Sequence, residues 1–116
     1  MKRQRAEHFG RRGEGVAAWW LRLHGWRIVA SRVRTARGEV DLVAKRGRTV
    51  AFVEVKARGS DAELALAIDH ARLRRVAAAA ELLVPKYARD ATTIRIDVIL
   101  VAPWRLPRHL VNVWHG

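Results

Sequence analysis

The sequence predicts an α/β fold: a helix, three strands, a second helix, a fourth strand and a short last strand. Three observations carry this. "GEGVAAWWLRLHG" repeats apolar residues at helical spacing. "TVAFVEVKA" is an almost wholly apolar run of strand length. "LALAIDHARLRRVAAAAELL" is long, Ala- and Leu-rich and helical in character. At 116 residues, half of them hydrophobic, residues 1–116 suit one core and one domain.

The elements follow in order. Residues 1–12 are polar and basic and read as an arm leading into the first helix. In that helix Val16, Trp20 and Leu23 fall at i, i+4 and i+7, with Ala17 and Leu21 beside them, and Gly25 is the stop. This places at least one of Trp19 and Trp20 in the core. "WRIVASRVR" is the first strand and "EVDLVA" the second. "KRGR" is a turn containing Gly47, and "TVAFVEVKA" is the third strand. Ser60 caps the second helix, with Glu63 three residues later, and the helix ends before Pro85. "TTIRIDVILV" is the fourth strand and "HLVNVW" the last.

Composition narrows the function. Lys and Arg number 23 against 11 Asp and Glu, a formal net charge of +12. Only Lys2, Lys45, Lys56 and Lys86 are lysines, so the remaining 19 cations are arginines, whose planar forks match phosphate. A polyanion, first of all nucleic acid, is the expected partner. A GC-rich genome also enriches arginine, so charge alone does not decide. The chain has no cysteine, which excludes a disulfide framework and a thiolate metal site and fits the cytoplasm. "VAAWWLRL" is short and carries Arg22, so a signal peptide and a membrane span are not expected. The five histidines lack zinc-motif spacing.

Asp41, Glu54 and Lys56 stand within the two central strands. Glu54 and Lys56 are two apart and share a face with Val50 and Phe52. An even-numbered turn that pairs Ala44 with Thr49 sets Asp41 opposite Phe52, with Glu54 its diagonal neighbour at about 7–8 Å. An odd turn sends Asp41 to the other face. The bland alternative pairs both acids with arginines on a solvated face. Against it, Val50, Ala51, Phe52, Val53 and Val55 describe a strand covered on both sides, where an unpaired charge is costly. Two adjacent acids repel unless a cation lies between them, and a divalent ion with oxygen ligands meets that need. Carboxylate-bound Mg²⁺ or Mn²⁺ beside an ammonium is the chemistry of phosphodiester hydrolysis.

Asp41, twelve intervening residues and Glu54-Val55-Lys56 resemble the signature of the PD-(D/E)XK nuclease superfamily, with Val40 where a proline usually precedes the acid. "GRRGEGVAAWWLRLHGWRIVASR", "GEVDLVAKRG", "VAFVEVKAR", "RIDVILV" and "HLVNVW", in this order, resemble the YraN-like family, UPF0102, over about Gly10 to Trp114. The resemblance implies a restriction-endonuclease-like αβββαβ core, a mixed central sheet flanked by helices, similar to archaeal Holliday-junction resolvases. It implies metal ligation by Asp41, Glu54 and the Val55 carbonyl, with Glu14 on the first helix binding directly or through water. Lys56 is expected to position the attacking water or stabilise the phosphate. Without the resemblance, Glu14 reads as an acid favoured near a helix start.

The chain departs from the family at Ser31-Arg32, where Asn-Arg is common, at Ala57, where relatives carry Thr, and at Arg72, where Lys is common. Ser31, Arg11, Arg12, Arg32, Arg34, Arg58, Arg72 and Arg75 are the expected nucleic-acid contacts. Glu39 is expected to point away from Asp41 and pair with an arginine, and Gly38 to permit close approach. Asp97 is expected to be structural, holding Arg95 or a backbone amide near the site. The leading reading is a metal-dependent endonuclease on structured or branched DNA, with RNA as the alternative polyanion. Cutting both strands of a junction needs two sites, which admits a homodimer. The competing readings are a nuclease fold that binds without cutting and a structural partner in a repair complex.

Overall fold

The computed structural model describes residues 2–57 and 70–115, with side chains of the first helix described from Arg12 onward. Its elements are α1 (Lys2–Leu23), β1 (Arg27–Arg34), β2 (Glu39–Arg46), β3 (Thr49–Ala57), α2 (His70–Tyr87), β4 (Thr93–Val101) and β5 (Arg108–Leu110). The strands form one sheet in the order β1-β2-β3-β4-β5. β1/β2, β2/β3 and β4/β5 are antiparallel, while β3/β4 is parallel. The result is a mixed sheet flanked by two helices, compatible with a restriction-endonuclease-like core. The parallel step follows from chain length: a hairpin joins β2 to β3, but parallel strands need a long crossover, and α2 lies in it.

β3 is central and covered on both faces, which is why its sequence is nearly continuous in apolar residues. On one face Val50, Phe52, Ile96, Val98 and Leu100 pack with Leu73, Val76, Ala79, Ala80 and Leu83 of α2. On the other, Ala51, Val53, Leu42, Ala44, Ile99 and Val101 pack with Ala17, Ala18 and Leu21 of α1 and with Trp26. Fully burying a side chain such as Phe52 contributes about 1.5–3 kcal/mol.

α1 buries a different stripe from the one its apolar period suggested. Val16, Trp19 and Leu23 are exposed and Trp20 is half-buried, while Gly13, Ala17, Ala18 and Leu21 face the sheet. Size decided the face. A Cβ placed on Gly13 would come within 2.8 Å of the Ala57 Cβ, so the helix sits on β3 through its smallest residues. The buried indole is that of Trp26 instead. The helix ends as expected at Gly25 (φ 85°), with Gly25 N–H donating to Arg22 O and Trp26 N–H to Leu21 O, a Schellman stop that folds Trp26 back over Leu21.

Other boundaries shifted. α1 begins at Lys2, inside the stretch read as an arm. α2 continues through Pro85 to Tyr87. Proline this close to a C-terminus removes one helical hydrogen bond, and the Ala88 amide still donates to Val84 O at 2.8 Å. The expected cap at Ser60 and Glu63 lies outside the described residues. The β2–β3 turn has the expected even parity but is the two-residue Gly47-Arg48, with Arg46 opposite Thr49. Val43, rather than Asp41, therefore lies opposite Phe52, and one further step of the ladder brings Asp41 level with Glu54.

Candidate functional site

Glu54 and Lys56 follow Phe52 on the α2 face of β3, and both are buried, at 2% and 6% exposure. Lys56 Nζ lies 3.2 Å from Glu54 Oε1. Arg72, in the first turns of α2, donates from Nε to the same oxygen. Asp41 reaches the pair from β2, its Oδ2 accepting the Val55 amide proton at 2.8 Å. Asp41, Glu54, Arg34, Glu39, Arg72 and Arg75 line one cleft of about 340 Å³. The cleft exists because α2 and the β1–β2 turn close on each other. A Cβ on Gly38 would meet the Arg75 carbonyl oxygen at 2.7 Å.

The two acids differ in how their charge is answered. Glu54 has two cations on one oxygen. Asp41 is pushed up to about 7, chiefly by burial and then by the Glu54 charge, with Glu14 adding to the rise. The Val55 amide and Arg72 work against that shift without cancelling it. A half-buried carboxyl held near neutrality beside a second carboxylate is a position that a divalent cation would relieve. The acids that line the cleft beside each other, Asp41 and Glu54, offer carboxylate oxygens only. These donors fit a hard ion such as Mg²⁺ or Mn²⁺.

Glu14 stands apart from the pair. Its Oε2 accepts from Arg32 Nε at 2.7 Å. Arg32 holds a left-handed backbone (φ 51°) in β1, and Glu14 raises the pKa of its guanidinium through the hydrogen bond and the charge. Among the described residues no three His, Asp or Glu side chains gather as metal ligands. The Glu14 charge also raises the Asp41 pKa.

The expected phosphate contacts divide. Arg34, Arg72 and Arg75 line the cleft. Ser31 and Arg32 are exposed on the edge strand β1, Arg32 in its ion pair with Glu14. Arg12 lies instead in a second groove, with Trp19 and Trp104. Arg58 and the side chain of Arg11 lie outside the described residues. Glu39 lines the same cleft as Asp41 rather than pointing away, as the i, i+2 spacing of a strand requires, and stands 4.0 Å from Arg34.

Asp97 holds the C-terminal segment together. Fully buried, it accepts from Arg95 at 2.8 Å and the Asn112 amide at 2.9 Å, and bonds His109 Nε2 at 2.7 Å. Burial raises its pKa, but these partners outweigh that and hold it below the ordinary carboxylate range. Its position in β4 alternates with Ile96 and Val98, so it lies on the α1 face, away from Glu54 rather than near it. The groove around Trp104 was not foreseen; the bracketing Pro103 and Pro107 are its only local signal.

No helix among the described residues is long and apolar enough to cross a membrane. Comparison with known proteins matches residues 13–101 to the model of "Uncharacterised protein family UPF0102". A UPF0102 protein of Rhizorhabdus wittichii is 69% identical over 115 residues, covering 99% of this chain and 98% of its own. One from Sphingopyxis alaskensis is 68% identical over 114 residues, covering 98% of each chain. The UPF0102 protein amb4503 of Paramagnetospirillum magneticum is 45% identical over 116 residues, covering 96% of this chain and 90% of its own. The match spans the Glu14 helix, both acid-bearing strands and β4, and the chain belongs to the UPF0102 family.

Proposed function

We propose that this protein is a metal-dependent endonuclease that hydrolyses phosphodiester bonds in structured or branched DNA, within the PD-(D/E)XK superfamily and akin to the archaeal Holliday-junction resolvases. The observation that carries the reading is one cleft holding Asp41 and Glu54 side by side, with Lys56 3.2 Å from the Glu54 carboxylate. Bound Mg²⁺ or Mn²⁺ would supply an activated water and neutralise charge at the phosphate. Asp41, fixed by the Val55 amide, and Glu54 would hold that ion. Lys56 would stabilise the developing phosphate charge from its buried position. Arg34, Arg72 and Arg75 line the same cleft and would grip flanking phosphates.

A second reading has its own support. Glu54 Oε1 is already shared by Lys56 and Arg72, which suits a fold that binds nucleic acid without cutting it. The two are separated by incubating labelled four-way junction, flap, single-stranded and linear duplex DNA with the protein in Mg²⁺, Mn²⁺ or EDTA. The nuclease reading expects metal-dependent products, most abundant from branched substrates. Tight binding with no products in any metal would leave the binding module.

A further inference from the structure

At the C-terminal ends of the parallel strands β3 and β4, on the side away from the acid cleft, lies a groove of about 620 Å³. Trp19, Trp104, Val16, Arg12 and Arg105 line it, with Ala57 at its inner edge. Trp104 is fully exposed, at 102%, and Trp19 is 53% exposed. Trp104 also holds φ 62°, a left-handed backbone that bulky side chains rarely adopt. An exposed indole on a strained turn is disfavoured in the free chain twice over, and such strain gathers at ligand sites.

We infer that this groove binds an unpaired nucleotide of a nucleic-acid strand, its base stacked on Trp104 and Trp19 and its phosphates met by Arg12 and Arg105. Three features select this occupant. Indole faces accept any base, and flanking guanidiniums supply the phosphate charge, which is the chemistry of single-strand binding. The chain carries +12 overall, so a polyanion is favoured and a second copy of the same cationic chain is not. The groove also lies beside the strand that carries the candidate site: Ala57 at its inner edge directly follows Lys56 in β3 and points to the opposite face. Crevices outside the carboxyl ends of parallel strands are a recurrent place for ligands. The inference rests on the nucleic-acid reading above and adds to it a substrate class, DNA or RNA with unpaired nucleotides beside a duplex.

The test measures binding in EDTA, so it does not depend on cleavage. Fluorescence anisotropy compares a duplex bearing a single-stranded overhang with the same duplex blunt-ended, for wild type, Trp104→Ala, Trp104→Phe and Trp104→Gly. Trp104→Ala is expected to weaken overhang binding by about 5- to 150-fold, the range of one lost base stack, and leave blunt duplex binding unchanged. Trp104→Phe should recover most of the loss. Trp104→Gly should bind as poorly as Trp104→Ala while melting at or above the wild-type temperature, because glycine accepts the left-handed backbone. Equal affinity of wild type and Trp104→Ala for the overhang would overturn the inference. So would a loss of equal size on both substrates. A wild-type dimer that Trp104→Ala converts to monomer in sedimentation, with overhang affinity unchanged, would assign the groove to self-association instead. If wild type binds neither substrate, the nucleic-acid reading itself fails, an outcome distinct from the loss of the groove alone.

Discussion

The Asp41 carboxylate on β2 accepts the backbone proton of Val55 on β3 at 2.8 Å, which ties the acid to the residue between Glu54 and Lys56. The bond fixes one oxygen of Asp41, which lines the cleft with Glu54. It also lowers the Asp41 pKa, yet burial and Glu54 still carry it to about 7.

A proton is thus retained on Asp41 in the folded chain at pH values where the unfolded chain, with an aspartate pKa of about 3.9, has lost it. The stability this group contributes is fully present below about pH 4 and is lost as pH rises through about 7. Asp41→Asn, which keeps an acceptor for the Val55 amide, should raise the stability at pH 8 by on the order of a few kcal/mol and change it little at pH 4. Denaturant melts at the two pH values check this. On the nuclease reading, wild-type cleavage at limiting metal should rise with pH towards neutrality, because protons and the cation compete for Asp41.

Arg72 bonds Glu54 and lowers the Asp41 pKa by its charge. Arg72→Gln should therefore move the midpoint of that pH profile upward. It should also reduce the slope of log affinity for DNA against log salt by about one phosphate contact. A profile and a salt slope both unchanged would remove Arg72 from the site.

Asp97 has the opposite sign to Asp41. Its depressed pKa contributes stability above about pH 4 that is lost as pH falls through the folded value. Asp97→Ala leaves Arg95 and the Asn112 amide without their partner and should cost about 3–5 kcal/mol at pH 7. Because Asp97 lies on the face away from Glu54, the folded fraction of this variant should keep its affinity for blunt duplex DNA.

Two glycines set the spacing of both helices against the sheet. Gly38→Ala would place a methyl 2.7 Å from the Arg75 carbonyl oxygen, and Gly13→Ala one 2.8 Å from the Ala57 Cβ. Neither contact is relieved by a flexible side chain. Each substitution should lower stability by about 1–3 kcal/mol in thermal melts, the usual penalty of overpacking. Gly15→Ala, which meets nothing within 4 Å, is the matched control and should be neutral or slightly stabilising.

Local pattern made the acid-bearing strands legible. Strand alternation placed Glu54 and Lys56 on one face, and even turn parity placed Asp41 with them. The register was off by two residues because any even turn satisfies that parity, whereas Gly47 at φ 60° selects the tight Gly47-Arg48 hairpin. The period of α1 points to the wrong face because period alone ranks Trp20 above Ala17, while close packing on Ala57 admits only the smaller side. Pro85 reads as a stop because sequence does not show how few helical bonds remain beyond it. The pairing of Glu14 with Arg32 and the Trp104 groove depend on residues far apart in the chain. No spacing rule reaches them.

The most direct measurement compares wild type with Glu54→Gln on labelled branched DNA in Mn²⁺, with affinity for the same DNA measured in parallel in EDTA. The account predicts cleavage by wild type, at least about 100-fold less by Glu54→Gln, and affinities within about threefold of each other. Equal cleavage by the two proteins would contradict the assignment of the Asp41–Glu54 cleft as the catalytic centre.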